Sequence, residues 1–148
     1  MHHQQLPSQI ELDTFFGDFQ CVSADYIDFL REQNGGSPSP YILDTKDNQR
    51  VVNEFLAFKA PSRFYETIEK YLEVFAGRIP SHMLPIASAG GGDLLLIDTG
   101  ENKCGSIYYW DHNFEMDADE MNAENADEYF ENIELVANSF TELLKKLR

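Results

Sequence analysis

The feature that most constrains the fold is residues 84–113, a stretch in which short apolar runs alternate with turn-forming residues. Residues 94–97 and 107–110 form two apolar runs, Gly90–Gly92 precedes the first, and residues 99–105 separate the two. Runs of this length bounded by glycine and polar residues are typical of buried strands. The stretch therefore predicts a β-hairpin behind a glycine-rich turn.

The three consecutive glycines suggest a phosphate-binding loop, which the neighbouring residues do not support. Such loops open a helix and carry Gly-Lys-Ser or Gly-Lys-Thr, or they follow a strand with the spacing GxGxxG. Here the glycines are followed by Asp93 and Leu94, no lysine is present, and the Asp93 carboxylate would repel a phosphate. We therefore expect a bulge or a close backbone crossing at this point.

Patterns elsewhere in the chain predict further helices and strands. Apolar spacing predicts helices over residues 8–16, 24–33 with Ser23 as N-cap, 63–75, and a last helix that follows the capping pattern at Ser139 and Glu142. Strands are expected over residues 41–44, 51–58, 84–87 and 133–136, in addition to the hairpin. The order predicts one α+β domain over residues 1–148. We expect a mostly antiparallel sheet of five to six strands with about four flanking helices, and a flexible start at residues 1–9.

The charge of the chain indicates what kind of partner it binds. The formal net charge is −15, and no lysine or arginine lies between Lys103 and Lys145, so the acidity is concentrated in the C-terminal third. Such a surface repels nucleic acids and anionic membranes and attracts a basic protein. No apolar run approaches the ~18 residues of a membrane span, and residues 1–10 lack the pattern of a signal peptide. We expect a cytoplasmic protein.

The two cysteines, Cys21 and Cys104, are far apart in the sequence and form neither a zinc knuckle nor a CxxC pair. Free cysteines are commonly buried, and disulfides are rare in the cytosol. The sequence therefore favours two separate buried thiols over a disulfide.

Residues that could support catalysis are few. Asp98, Asp111 and His112 could act as acid, base and orienting partner with Ser88 or Ser106 as nucleophile, but neither serine lies in a GxSxG elbow. A single histidine beside an acidic run is more often an exposed loop residue than a base. We predict no catalytic residues.

Asp117 and Asp119 start a D-x-D pattern of the kind found in calcium loops. A helix-loop-helix calcium site would need an oxygen ligand at position 121 and a glycine at 122, whereas this chain has Met121 and Asn122. A solvated acidic loop is the preferred interpretation. We predict no metal and no cofactor.

Strand alternation places Tyr108 and Trp110 on one face of the second strand of the hairpin and Tyr109 on the other. The preferred interpretation is that Tyr108 and Trp110 fill the core under the helices. An exposed aromatic anchor for a partner is the alternative.

Four segments together resemble the SMI1/KNR4 family, also called the SUKH superfamily. They are SADYIDFLREQNGG at 23–36, LPIASAGGGDLLLID at 84–98, GSIYYWDHN at 105–113 and VANSFTELLKKL at 136–147. Their order and spacing carry the resemblance, which covers most of the chain. The departures are a weak first helix and residues 115–132, here called the acidic segment.

The resemblance implies a non-enzymatic binding protein. Bacterial members of the family are similar to immunity proteins that neutralise a cognate toxin domain, often a nuclease. Fungal members act as scaffold or regulatory modules, which is the alternative function. A third alternative is an enzyme whose site is assembled only in the folded structure. No family motif covers the acidic segment, so the partner-contact residues are predicted from charge, with Tyr109 added as an aromatic anchor. The predicted set is Tyr109, Asp111, Glu115, Asp117, Asp119, Glu120, Glu124, Asp127 and Glu128.

Overall fold

A computed structural model describes residues 6–59, 66–112 and 132–148, which form four α-helices and six β-strands. The helices are α1 (Gln9–Phe16), α2 (Ala24–Glu32), α3 (Ile68–Val74) and α4 (Phe140–Lys146). The strands are β1 (Ile42–Asp44), β2 (Gln49–Phe55), β3 (Met83–Ala89), β4 (Asp93–Asp98), β5 (Ile107–Trp110) and β6 (Ile133–Ala137). Within these ranges, no helix is long and apolar enough to cross a membrane.

The strands form one sheet in the order β1-β2-β3-β4-β5-β6, and every neighbouring pair is antiparallel. The predicted hairpin is confirmed, since β4 pairs with β5 and Leu95 lies opposite Tyr109. The sheet curls so that its two edges approach each other. The turn between β1 and β2 reaches β6, where the Lys46 backbone N–H donates to the Glu134 carboxylate at 2.7 Å. The predicted α+β class with an antiparallel sheet and flanking helices is therefore confirmed.

The two faces of the sheet bury separate apolar clusters. The main core packs α1, α2 and α4 against the face that carries Leu95 and Tyr109. The second cluster lies on the other face, where Trp110 is fully buried and its ring centroid lies 5.6 Å from that of Phe75, just after α3. The core position predicted for Trp110 is confirmed, and Tyr108 packs at the edge of the same cluster.

Short polar contacts fix the helix starts. Ser139 accepts a hydrogen bond from the Glu142 backbone N–H at 3.0 Å, as its capping pattern predicts. Ser8 forms a full capping box with Glu11, which orders a residue that the sequence placed in the flexible start. Ser23 precedes α2 but makes no side-chain cap, contrary to the prediction; the Asp25 carboxylate accepts from the Tyr26 N–H instead.

Two predicted boundaries also change. Helix α3 begins at Ile68, because Thr67 caps it by accepting from the Lys70 N–H at 3.2 Å; residues 60–65, where the sequence placed the start, lie outside the described residues. Pro85 lies inside β3 and not at its beginning, next to a register shift in the pairing with β4. A proline is tolerated there because a bulge frees the strand from one ladder hydrogen bond.

The prediction of two separate cysteines is wrong, because Cys21 and Cys104 form a disulfide with their Cα atoms 5.9 Å apart. Folding brings the linker between α1 and α2 against the loop between β4 and β5, where the Cys21 N–H donates to the Thr99 carbonyl at 3.0 Å. Gly105 permits this approach, since its φ is +92° and an added Cβ would lie 3.2 Å from the Ser23 side chain. A sequence separation of 83 residues gives no local signal of such a contact.

Candidate functional site

The candidate site is organised around Asp93, the first residue of β4. Strand alternation places its side chain on the same face as Leu95, and the residue is only 2% exposed. The carboxylate accepts hydrogen bonds from the Tyr109 hydroxyl and from the His112 backbone N–H at 3.0 Å, and His112 Nδ1 lies 2.6 Å from its Oδ1. These partners offset the cost of burying a carboxylate, which would otherwise be several kcal/mol.

Arg50, on β2, supplies the positive charge of the site. Its guanidinium lies 3.6 Å from the Asp93 carboxylate and 3.1 Å from that of Asp111. The same group stands over the ring of Tyr109, with Cζ 4.9 Å from the ring centroid, in cation–π geometry. Arg50 thereby joins β2 to the carboxylates at the ends of the β4–β5 hairpin.

The buried network shifts two pKa values in opposite directions. Burial acts to raise the pKa of Asp93, but hydrogen bonds from His112 and Tyr109 outweigh it and lower that pKa below its ordinary value. Burial, together with the hydrogen bond to the Asp93 carboxylate, raises the pKa of the Tyr109 hydroxyl. The network therefore holds an ionised carboxylate beside a neutral phenol at neutral pH.

The described residues on either side of 113–131 belong to the same network, whereas residues 113–131 themselves lie outside the described part of the chain. The Asp111 N–H donates to the Asn132 carbonyl at 2.9 Å, and the Asn132 side-chain amide donates back to the Asp111 carbonyl at 2.9 Å. Asn132 is thus connected through Asp111 to Arg50, and through Arg50 to Asp93.

A cleft of ≈ 310 Å³ opens beside this network, between the β1–β2 turn and strands β5 and β6; we call it the polar mouth. Its lining residues are Thr45, Asp47, Asn48, Arg50, Tyr109, Asp111, Asn132, Ile133 and Glu134. Among them Asp47, Asp111 and Glu134 contribute three carboxylates, whereas Arg50 contributes the only guanidinium. The lining is therefore negative overall, and it adjoins the acidic segment.

A metal ion is one possible occupant of part of this site. One ligand atom each of Asp93, Asp111 and His112 lies within 4.8 Å of the others, and carboxylate and imidazole are common metal ligands. The Arg50 guanidinium is already paired with both carboxylates and would repel a cation placed between them. The described residues thus favour an internal ion-pair network over a metal centre, and the D-x-D pattern at Asp117 and Asp119 lies outside them.

The described residues do not bring together the acid, base and serine nucleophile that the sequence suggested as a catalytic site. Asp98 accepts from the Gly100 N–H at 2.7 Å and lies at the opposite end of β4 from His112, in the neighbourhood of Ser106. Ser88 pairs with Leu94, so it occupies the face of the sheet that points away from Asp93. His112 instead pairs with Asp93, with no serine of that combination beside it among the described residues.

Two of the predicted partner-contact residues lie within the described ranges. Asp111 lines the polar mouth and binds Arg50. Tyr109 is 3% exposed, and its ring packs in the main core beneath Arg50, so it offers no exposed ring to act as an aromatic anchor. The remaining seven lie outside the described residues and stay predictions: Glu115, Asp117, Asp119, Glu120, Glu124, Asp127 and Glu128.

Sequence patterns did not predict Arg50, Asp93 and Asn132 as members of the site. One signal was present, since Asp93 opens an apolar run at a position that alternation turns towards the core, where a charge needs a partner. No local pattern identifies Arg50 as that partner, because the two residues come together only through the pairing of β2, β3 and β4.

Comparison with known proteins places the chain in a family. The SPbeta prophage-derived uncharacterized protein YokK of Bacillus subtilis (strain 168) is 29% identical over 83 residues, which are 56% of this chain but only 35% of that protein. No solved structure matches the chain at a significant level. The model of the SMI1 / KNR4 family (SUKH-1) matches residues 8–146, nearly the whole chain, and so confirms the resemblance drawn from the four segments. The chain belongs to the SMI1/KNR4 family.

Proposed function

We propose that this protein is a non-enzymatic immunity protein, which binds and neutralises a basic toxin domain through a negatively charged surface. That surface comprises the polar mouth and the acidic segment, whose last residue, Asn132, lines the mouth. Family membership supports the general class, since the resemblance implies a binding protein.

The observation that carries the proposal is the position of the excess negative charge. Asp47 and Glu134 lie on opposite sides of the polar mouth, while Arg50 is already engaged by Asp93 and Asp111. The acidic segment adds further carboxylates and no lysine or arginine. A surface of this kind accelerates association with a basic partner and repels acidic ones.

The chemistry of the partner follows from the same charge. A nuclease binds phosphates through lysine and arginine, so its active-site surface is basic. An acidic protein that docks on that surface both recognises the nuclease and occludes its substrate site. We therefore favour a nuclease among the possible toxins.

The first test identifies the partner and asks whether it is toxic. Proteins that co-purify with this chain from its own organism are identified, and each basic one is expressed in a sensitive bacterial host with and without this chain. We expect one partner to arrest growth and co-expression to restore it. A partner that binds but is harmless in the host would contradict the immunity role and support the scaffold alternative.

The second test locates the binding surface, using three variants that each change surface charges. One neutralises Asp117, Asp119, Glu120 and Glu124 to the corresponding amides, and one carries Asp47→Asn with Glu134→Gln. The control neutralises exposed carboxylates elsewhere, on α1–α3 and their linkers: Asp18, Asp28, Glu32 and Glu73.

Association rates with the partner are then measured over a range of salt concentrations. We expect the first two variants to associate more slowly, roughly tenfold for the quadruple variant at low salt, with a weaker salt dependence, because charge at the interface steers the encounter. The control variant should show a smaller decrease in association rate. Equal rates and equal salt slopes in all variants would rule out the proposed surface while leaving neutralisation itself intact.

A further inference from the structure

The disulfide between Cys21 and Cys104 joins two loops at the end of the hairpin opposite Asp93. Cys21 lies in the linker between α1 and α2, and Cys104 lies in the loop between β4 and β5. Both residues are partly exposed, so the disulfide lies at the surface of the protein and not in its core. Accessibility is one of the factors that decide whether a disulfide exchanges.

The β4–β5 loop is held by its own hydrogen bonds. The Gly105 N–H donates to the Asp98 carbonyl at 2.9 Å, and the Asp98 N–H donates to Ser106 at 2.9 Å. Thr99 is bound to His82 through both its backbone N–H and its hydroxyl. This side of the disulfide does not depend on the covalent bond for its conformation.

The α1 side has less independent support. Helix α1 has eight residues, and isolated helices shorter than about 12–15 residues are marginal in water. Its Leu12 and Phe16 are buried in the main core, and the linker after it makes one backbone hydrogen bond to the β4–β5 loop, from Cys21 to Thr99. The disulfide adds a covalent restraint to this packing, and it is the only covalent link between the linker and the β4–β5 loop among the described residues.

We propose that Cys21–Cys104 is a site of reversible thiol–disulfide exchange with small-molecule thiols. The oxidised bond fixes α1 and the linker on the β4–β5 loop. The reduced pair releases them locally and leaves the sheet folded. This inference does not depend on the proposed immunity function.

The exchange balances with two equivalents of a thiol. One thiolate attacks a cysteine sulfur, the Cys21–Cys104 bond breaks, and the departing cysteine thiolate takes a proton. A second thiolate attacks the resulting mixed disulfide, which releases the small-molecule disulfide and leaves two protein thiols. The protein is reduced by two electrons, and the two thiols are oxidised by the same number.

The first test uses dithiothreitol on the folded, full-length chain, with free thiols trapped by alkylation and counted by mass. We expect reduction at a rate proportional to dithiothreitol concentration and unchanged by low urea, as for attack on the native bond. A rate that reaches a plateau with dithiothreitol and rises steeply with urea would mean that the bond reacts only after unfolding, and would overturn the proposal.

The second test measures amide hydrogen exchange in the oxidised and reduced chains. After reduction we expect exchange in α1 to accelerate at least tenfold more than exchange in β3 and β4, whose amides should lose protection only in step with global stability. The Cys21→Ser, Cys104→Ser variant should behave like the reduced chain and show no effect of dithiothreitol. Unchanged exchange in α1, or an equal loss of protection in α1, β3 and β4, would each overturn the local release.

Discussion

The two ends of the β4–β5 hairpin are attached to the rest of the molecule by different chemistry. At the loop end, a covalent bond connects Cys104 to Cys21. At the other end, Asp93 and Asp111 are held by the guanidinium of Arg50, with further hydrogen bonds from neighbouring groups. The first attachment responds to thiols, and the second responds to protons and to changes in charge.

The two ends also differ in their relation to the proposed binding surface. The disulfide lies far along the strands from the polar mouth, so it can restrain the chain without occupying the proposed binding surface. The charged network includes Arg50 and Asp111, which also line the polar mouth, so the groups that stabilise this end belong to the proposed binding surface. Changes at the two ends should therefore differ in their effect on the unfolding free energy and on its pH dependence, and four predictions test this.

The largest effect is expected from removal of the disulfide. The Cys21→Ser, Cys104→Ser variant should lose about 4–5 kcal/mol of unfolding free energy, because the bond closes a loop of 83 residues in the unfolded chain. Urea unfolding of the oxidised wild type and the variant measures this difference. Reduction of the wild type should reproduce it, and a loss below about 1 kcal/mol would show that the bond contributes little.

Asp93→Asn should give the next largest loss, about 2–3 kcal/mol. Breaking a fully buried ion pair costs roughly 3–5 kcal/mol, and the side chain of Arg50 is 25% exposed, so solvent screens part of that cost. Unfolding is measured under the same conditions. Asp28→Asn, at an exposed position on α2, is the matched control and should change stability by less than about 0.5 kcal/mol.

Acid should destabilise the protein in part through the charged end, where the Asp93 carboxylate is buried. The folded-state pKa of Asp93 lies below its ordinary value, so the folded protein binds fewer protons there than the unfolded chain does. Its contribution is complete above the ordinary value of 3.8 and is lost as the pH falls through the lowered folded-state pKa.

Stability measured from about pH 6 to pH 2 should therefore fall more steeply in the wild type than in Asp93→Asn. The comparison between variants is needed because other carboxyls with lowered pKa values, among them Asp25, also destabilise the protein in acid. The disulfide variant should keep the wild-type pH slope. Equal slopes in the wild type and Asp93→Asn would show that the Asp93 pKa is not shifted by folding.

Sequence patterns predicted most of the fold because its signals are local. The apolar runs of β4 and β5, the capping pattern at Ser139 and the spacing in α2 each depend on residues within one element. The errors at α3 and β3 concern boundaries: the Thr67 cap fixes the start of α3, and the register shift between β3 and β4 admits Pro85 within the strand.

The attachments of the hairpin were not predictable in this way. Cys21 and Cys104 are separated by 83 residues, and Arg50 lies on a strand two places away from Asp93 in the sheet. A single sequence contains no information that joins such residues unless the full topology is known. The charge of the acidic segment was evident from composition, but its anchoring through Asp111 and Asn132 required the pairing of β5 with β6.

The smallest effect is expected from Asn132→Ala, which removes one side chain from the charged end. The amide donates to the Asp111 carbonyl, whereas the backbone bond from Asp111 to residue 132 is retained in the variant. We expect a loss of about 1 kcal/mol, the usual contribution of one such hydrogen bond, measured by urea unfolding. Because the change is neutral, it should leave the pH slope of the wild type intact. A loss as large as that of Asp93→Asn, or a flattened pH slope, would mean that Asn132 positions Asp111 and Arg50 and that the charged end acts as one cooperative unit.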